Sequence, residues 1–137
     1  MEIQEEMHRL QMIEQQAGEL QQKAAYMDEQ IAEMQAIKSS LREIKVNKTG
    51  EILSNLGKGI FVKTKIIDDK LFVNVGKEII VRKDVDGVIE VIDEQMDKLF
   101  KGKVEILNML TKLQEEAQEL VTNLQREQAK MKKDKKN

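Results

Sequence analysis

The sequence predicts an α+β chain: a long antiparallel coiled-coil helical hairpin with two small β-hairpins at its bend. The first and last thirds are rich in Glu, Gln, Lys and Leu, and the chain contains no proline, which is typical of long helices. The middle is dominated by β-branched residues broken by turn formers. With 35% charged and only 3% aromatic residues, the 137-residue chain is poorly suited to a globular core.

The first helix is predicted over residues 1–46. Its apolar residues recur at alternating steps of three and four, the heptad signature of a narrow seam that another helix must cover. The seam residues are Leu10, Ile13, Ala17, Leu20, Ala24, Met27, Ile31 and Met34. Lys38 then takes the next seam position and the apolar pattern passes through Ile37, Leu41 and Ile44, which predicts a local rewinding.

The second helix is predicted over residues 84–131, with Asp84 as the N-cap. Its seam, counted in heptads from Ile89, is broken only by Lys103 and Glu127. Gly102 marks a soft point, because glycine costs about 1 kcal/mol relative to alanine inside a helix. Two seams of similar length bury each other when the chain reverses direction. Residues 132–137 are expected to form a basic, disordered tail.

Residues 51–83 are predicted to form a double β-hairpin that serves as an assembly segment. Strands are expected near residues 51–55, 60–67, 70–75 and 78–82, with turns at Gly57-Lys58-Gly59 and Gly76-Lys77. Two-stranded hairpins are marginally stable alone, and their open edges invite pairing with another chain. The segment therefore predicts oligomerisation.

Composition excludes several functional classes. The absence of cysteine excludes disulfide frameworks and cysteine chemistry. No apolar run approaches the ~20 residues of a membrane span, and the first residues are acidic where a signal peptide would be basic. We therefore expect a cytoplasmic protein without a membrane partner. The formal net charge of −2 gives no strong preference for nucleic acid.

The chain offers little material for catalysis, so we do not expect an enzyme, and we expect no metal, nucleotide or organic cofactor. Its single histidine, His8, is interpreted as a solvated surface residue. Gly57-Lys58-Gly59 is too short for a phosphate-binding loop and is interpreted as a turn. Glutamates lie at positions that a coiled coil gives to solvent: Glu5, Glu6, Glu115, Glu116 and Glu119.

The end of the hairpin opposite the bend is the candidate binding site for other proteins. Flexible methionines exposed at fraying helix ends can contact many different apolar sequences. The candidate residues are Met1, Ile3, Met7, Leu10, Met12, Ile13, Leu120, Val121, Leu124 and Met131. Leu10, Leu120 and Leu124 could equally complete the seam, whereas Met1, Met7 and Met12 favour exposure. The lysine-rich tail leaves nucleic-acid binding as an unfavoured alternative, since it lacks stacking aromatics.

The middle segment resembles the α-type subunit of prefoldin. The resemblance rests on residues 56–63 (LGKGIFVK), 73–76 (VNVG) and 81–84 (VRKD) leading into 88–90 (VIE), and on the presence of two hairpins where β-type subunits carry one. Two positions depart from the family pattern. Ser54-Asn55 stands where proline is frequent, and Glu78 replaces an expected glycine.

The resemblance implies an assembly in which β-hairpins of several subunits join an intersubunit β-barrel and coiled coils project from it. The helix tips would then hold non-native proteins without ATP and pass them to a group II chaperonin. Partners would be prefoldin β-type subunits, the chain itself, or both, as a hexamer or as a filament. Carried over by position, the oligomerisation candidates are Ile52, Leu56, Ile60, Val62, Leu71, Val73, Ile79 and Val81.

Overall fold

Two long helices flank two β-hairpins in the computed structural model, which describes residues 2–47 and 49–136. Helix α1 spans Ile3–Val46 and helix α2 spans Val85–Lys136. Between them lie β1 (Glu51–Gly57), β2 (Ile60–Lys65), β3 (Leu71–Asn74) and β4 (Ile80–Lys83). This order confirms the predicted fold class of two long helices with a double hairpin between them.

The chain divides into two compact units, and both helices contribute a segment to each. The first unit holds the beginning of α1 and the end of α2, within residues 1–29 and 99–137. Its buried apolar residues are Ile13, Ile106 and Leu120. Two ion pairs join the helices here, Arg9 with Glu116 at 2.7 Å and Asp28 with Lys103 at 2.6 Å. Since partners early in α1 meet partners late in α2, the two segments run antiparallel.

The second unit, Gln30–Lys98, holds the other halves of the helices and both hairpins. Lys38 is bound to Asp93 and Lys45 to Asp86, so a forward step of seven residues on α1 matches a backward step of seven on α2. That is one heptad of antiparallel register. The buried residues of this unit are Ile31, Leu41, Val85, Val88, Ile92 and Met96.

The seam of α1 continues through Lys38 to Leu41, so the predicted passage of the apolar pattern through Ile37 is wrong. Ile37 remains 46% exposed, whereas Leu41 lies one heptad after Met34 and is buried. Lys38 is tolerated because its aliphatic stem is partly buried and its ammonium reaches Asp93. The seam position therefore keeps its geometry although it carries a cation.

The start of α2 is fixed by Asp84, whose Oδ1 accepts a hydrogen bond of 2.8 Å from the backbone N–H of Gly87. This is the N-cap contact to the third helical residue. A Cβ on Gly87 would lie 2.9 Å from that same oxygen, so the glycine leaves the room that the cap needs.

At its other end, α2 is longer than expected. It continues through residues 132–136, which the sequence analysis assigned to a disordered tail. Lysine is a good helix former, and cations at a helix C-terminus are favoured by the macrodipole. Asn137 lies outside the described residues.

Each hairpin is a separate two-stranded antiparallel sheet. In the first, Ile52 pairs with Thr64 and Ser54 with Val62, and the register shifts between Asn55 and Gly57. In the second, Phe72 pairs with Arg82 and Val73 with Val81. Side chains of successive strand residues point to opposite faces, so each hairpin has two distinct faces.

The turn of the second hairpin holds two side-chain-bearing residues in the left-handed region, Lys77 at φ 50° and Glu78 at φ 62°. Glu78 is the residue that replaces the glycine of the family pattern. A non-glycine residue there is strained, because its Cβ approaches the backbone.

Candidate functional site

The described candidate binding residues at the chain ends lie in the first unit, on the beginning of α1 and the end of α2. Three of them leave large apolar side chains in solvent: Met7 is 52% exposed, Met12 40% and Met131 57%. We call these three residues together the methionine surface, although Met7 and Met12 point to different sides of α1. Ile3, Leu10, Val121 and Leu124 are half-buried beside it. Met1 lies outside the described residues.

Two other candidates, Ile13 and Leu120, are buried, at 2% and 8% exposure. They complete the seam between α1 and α2, which was one of the two interpretations that the sequence left open for Leu120. A ligand reaches them only if the helix ends separate. The methionine surface is therefore the directly accessible part of the predicted site.

Glu6 was predicted to face solvent, and this is wrong: it is only 4% exposed. It lies seven residues before Ile13 and thus at the same heptad position, a signal that the acidic side chain concealed. Its Oε2 is buried and has no hydrogen-bond partner among the described residues, and the same holds for Oε2 of Glu127. Glu5 is exposed, as expected.

Glu116, also assigned to the outer face, is ion-paired across the helices. Nε and Nη2 of Arg9 donate hydrogen bonds of 2.7 and 3.1 Å to its two carboxylate oxygens. The bonds from Arg9 lower the pKa of Glu116, and the same contact raises the pKa of Arg9. This bidentate contact joins α1 to α2 close to the methionine surface.

The hairpins carry a second candidate surface, for assembly. Of the predicted residues, Leu56, Ile60, Val62 and Ile79 are exposed, whereas Ile52, Leu71, Val73 and Val81 are half-buried. The opposite faces hold large exposed residues that the sequence analysis did not select: Leu53, Phe61, Phe72 and Ile80. Strand alternation places them on one face of each hairpin, but it does not show which of the two faces stays exposed.

In the second hairpin, Phe72 is 68% exposed and its ring carries the guanidinium of Arg82 5.7 Å above the centroid. Arg82 also contacts Asp68 at 2.7 Å. The pKa of Asp68 is lowered, chiefly by the backbone N–H of Lys70 and further by Arg82. The cation thus holds the aromatic ring and the preceding loop together.

A cavity of about 680 Å³ opens in the second unit where the helix ends meet the hairpins. Its walls combine apolar residues such as Ile44 and Ile66 with four aspartates. Three of the aspartates already have structural partners: Asp84 caps α2, Asp86 binds Lys45, and Asp68 binds Arg82. These contacts stabilise the junction between the helix ends and the hairpins.

Two absences hold for the described part of the chain. No group of three or more His, Cys, Asp or Glu side chains is arranged to hold a metal ion. Over residues 2–47 and 49–136, neither helix contains a stretch long and apolar enough to cross a membrane.

The fold places this chain in a class of coiled-coil subunits, in which two long antiparallel helices are joined by a double β-hairpin. A family model described as prefoldin subunit matches residues 13–130. The chain belongs to the prefoldin subunit family, which is a family of chaperones.

Curated relatives specify the α type. Prefoldin subunit alpha of Methanococcus vannielii is 30% identical over 129 residues, covering 93% of this chain and 87% of the relative. Prefoldin subunit alpha 1 of Methanocaldococcus jannaschii is 29% identical, covering 84% and 89% respectively. Among solved structures, a filamentous prefoldin from M. jannaschii matches with a TM-score of 0.75 and 20% identity, over 84% of this chain and 97% of that chain. The structural match confirms the fold.

Proposed function

We propose that this chain is a subunit of an oligomeric, ATP-independent holding chaperone that binds non-native polypeptides at the ends of α1 and α2. The observation that carries the proposal is the methionine surface, three exposed methionines on the two helix ends of one unit. Thioether side chains are flexible and polarizable, so they adapt to apolar segments of unrelated sequence.

One such surface binds weakly, because three side chains bury little apolar area. An oligomer presents several copies to the same unfolded chain, and linked weak contacts raise the overall affinity by roughly 10² to 10⁴. Assembly and client binding are thus coupled: a monomer with an intact methionine surface is a poor holding chaperone.

The proposed partners are non-native proteins, prefoldin β-type subunits or further copies of this chain, and a group II chaperonin that receives the client in the cytoplasm. The exposed apolar faces of both hairpins support assembly, since faces with residues such as Phe61 and Phe72 rarely remain uncovered. We propose that these faces and the hairpin edges join an intersubunit β-barrel.

The test replaces the methionine surface in the full-length chain. The variant Met7→Ser, Met12→Ser, Met131→Ser is compared with Tyr26→Ser, Val104→Ser, Met109→Ser, which removes from the same unit three large side chains that are at least about as exposed. Suppression of aggregation of a chemically unfolded client is measured, together with the oligomer mass by light scattering.

The proposal expects the first variant to lose most of its suppression at unchanged oligomer mass, and the matched control to retain it. Full suppression by the methionine variant would reject the site. Equal losses in both variants would show that exposed apolar area anywhere on the unit serves, and that outcome would also reject it.

A filament-forming scaffold with chaperone activity is the second candidate. Two observations favour it. One solved structure that this chain resembles is a filamentous prefoldin, and both hairpins of this chain expose apolar side chains. Two open sheets per subunit allow head-to-tail addition without closure, which produces fibres instead of rings.

Light scattering and negative-stain imaging of the purified chain separate the two candidates. Long fibres formed without any partner would establish the filament. A monomer or small oligomer that becomes a hexamer only with a β-type subunit would reject it.

A further inference from the structure

All the sulfur in this sequence is carried by methionine. The sequence has eight methionines and no cysteine, so no thiol of the chain can react with an oxidant before a thioether does. Oxidation converts the thioether of methionine into a sulfoxide, which replaces a flexible apolar side chain by a polar one. The effect of an oxidant on this chain therefore depends on which methionines it can reach.

The described methionines differ widely in their accessibility. The methionine surface and Met109 of α2 are each at least 40% exposed. Met27 and Met34 are half-buried, and Met96 is buried at 8% exposure. Met27 is further restrained by its close contact with α2, since its Sδ would lie 3.6 Å from a Cβ built on Gly102. An oxidant dissolved in water therefore meets the exposed thioethers first.

The exposed thioethers can be oxidised without disrupting the buried seam. In the same unit, the buried apolar residues are Ile13, Ile106 and Leu120, and none of the exposed methionines is among them. A sulfoxide at Met96 would instead place a polar oxygen in a buried layer, which is unfavourable without a hydrogen-bond donor. Brief oxidation is thus expected to change the surface of the helices and to leave their pairing intact.

The chemical step is the transfer of one oxygen atom from hydrogen peroxide to sulfur. A lone pair of the sulfur attacks one peroxide oxygen, and the S–O bond forms as the O–O bond breaks. The hydroxide that leaves takes the proton of the transferred hydroxyl and becomes water, so sulfur is oxidised and the peroxide is reduced. A methionine sulfoxide reductase reverses the change: a dithiol is oxidised to a disulfide, and the oxygen leaves as water.

We propose that the methionine surface is a redox-sensitive site at which a peroxide reversibly switches off client capture. A sulfoxide oxygen is hydrated in water, and an apolar client segment offers no hydrogen bond to replace that water, so oxidation weakens the contact. The effect on capture rests on the proposed function. The preferential oxidation of Met7, Met12 and Met131 over Met96 depends only on their exposure.

Multivalent capture makes the proposed switch steep. Client binding by an oligomer combines several weak contacts, and its overall affinity exceeds that of each contact because the contacts are linked. A moderate weakening of every contact is therefore multiplied over the copies that hold one client. Oxidation of the methionine surface is expected to remove most of the suppression of aggregation, although the helices and the oligomer persist.

Oxidation of the full-length chain by hydrogen peroxide tests the proposal. Peptide mass spectrometry follows the sulfoxide fraction at each methionine, circular dichroism follows the helices, and suppression of client aggregation is measured after the peroxide is removed. The variant Met7→Leu, Met12→Leu, Met131→Leu keeps apolar side chains of similar volume that form no sulfoxide. Met109→Leu is the matched control, because Met109 is as exposed as Met7 and lies outside the methionine surface.

The proposal expects the exposed methionines to be oxidised before Met96, and the wild type to lose most of its suppression with unchanged helical circular dichroism. A sulfoxide reductase with a dithiol should restore the suppression. The triple leucine variant should suppress aggregation equally before and after peroxide, whereas Met109→Leu should lose suppression as the wild type does.

Three results would overturn the proposal: oxidation of Met96 as fast as Met7, full suppression by the oxidised wild type, or loss of suppression by the triple leucine variant in peroxide. The serine variant of the methionine surface separates this failure from failure of the proposed function. Full suppression by the serine variant rejects the binding site and the switch together. Loss of suppression in the serine variant, with full suppression by the oxidised wild type, keeps the binding site and rejects the switch.

Discussion

Met27 of α1 lies directly against the backbone of α2 at Gly102: a Cβ built on that glycine would come within 3.2 Å of Cε of Met27. The soft point that the sequence suggested in α2 is thus also a point of close approach between the helices. Gly18, the glycine of α1, has nothing within 4 Å of an added Cβ. Alanine substitutions at the two glycines therefore share the effect of helix propensity and differ in the effect of packing.

Both glycines lie within helices, so replacement by alanine gains about 1 kcal/mol of helix propensity at either site. We expect Gly18→Ala to realise that gain, and Gly102→Ala to realise about half, because the Met27 side chain must move. The free energies of unfolding in urea, measured at fixed chain concentration, check this. Adding Met27→Ala to both alanine variants should reduce the difference between them. A larger gain at Gly102 than at Gly18 would contradict the close approach.

The contact between Arg9 and Glu116 should make stability depend on pH. Because the pKa of Glu116 is lowered in the folded chain, its contribution is present above the ordinary glutamate pKa and is lost as the pH falls through the lowered value. Glu116→Gln should reduce the Tm near neutral pH, and the difference from the wild type should disappear in acid. Thermal melts by circular dichroism across a pH series measure it, with exposed Glu115→Gln as the control. A difference that grows in acid would contradict the assignment.

Heptad spacing predicted Ile13 and Leu120 as possible seam residues, since apolar side chains at steps of three and four form a narrow stripe that another helix must cover. Charged residues at the same spacing were harder to interpret. Glu6 was assigned to a solvent-facing position although it lies one heptad before Ile13, and Lys38 was taken to shift the seam although it lies one heptad after Ile31. A charged side chain can occupy a seam when its stem packs or a partner reaches it, and only the folded partner helix shows whether this occurs.

The hairpins illustrate a second limit of structure prediction from the sequence. Alternation determined that Val62 and Phe61 point to opposite faces, but not which face the rest of the chain covers. That depends on how the hairpin rests on neighbouring elements and on other subunits, and a strand sequence does not contain this information. The aromatic residues on the exposed faces were missed for this reason.

Lys38 provides a prediction about seam charge. Its side chain is 22% exposed, whereas Lys45, one heptad later and also paired with an aspartate, is 55% exposed. Lys38→Met places an apolar side chain at the seam, and Asp93, which is 50% exposed, can be hydrated once its partner is removed, so the free energy of unfolding should rise by about 1 kcal/mol. Lys45→Met should change it by less than about 0.5 kcal/mol. Chemical denaturation of both variants measures the difference, and equal effects would show that the seam does not distinguish the two positions.

Glu78 provides a prediction about backbone strain. A non-glycine residue at φ 62° is strained by roughly 1 to 2 kcal/mol, and glycine removes this strain. Part of that stabilisation is offset because glycine loses more conformational freedom on folding. Glu78→Gly should therefore stabilise the second hairpin by about 0.5 kcal/mol. Glu94→Gly, at an exposed position inside α2, should instead destabilise the chain by about 1 kcal/mol. Thermal melts of the two variants give opposite shifts if the turn is strained, and a loss of stability in Glu78→Gly would contradict it.

Phe61 and Phe72 provide the prediction about assembly. Both rings are more than half exposed on hairpin faces that face solvent in the single chain. If other subunits cover these faces, each ring contributes about 1.5 to 3 kcal/mol to association, and a buried charge in its place is strongly unfavourable. Phe61→Asp with Phe72→Asp should leave the helical circular dichroism unchanged and reduce the oligomer to monomers in light scattering at micromolar concentration. Lys58→Gln, at the turn of the first hairpin, should assemble like the wild type. An intact oligomer in the double variant would show that the subunits join through the opposite faces of the hairpins or the strand edges, and that Val62 and Val73 are the positions to replace next.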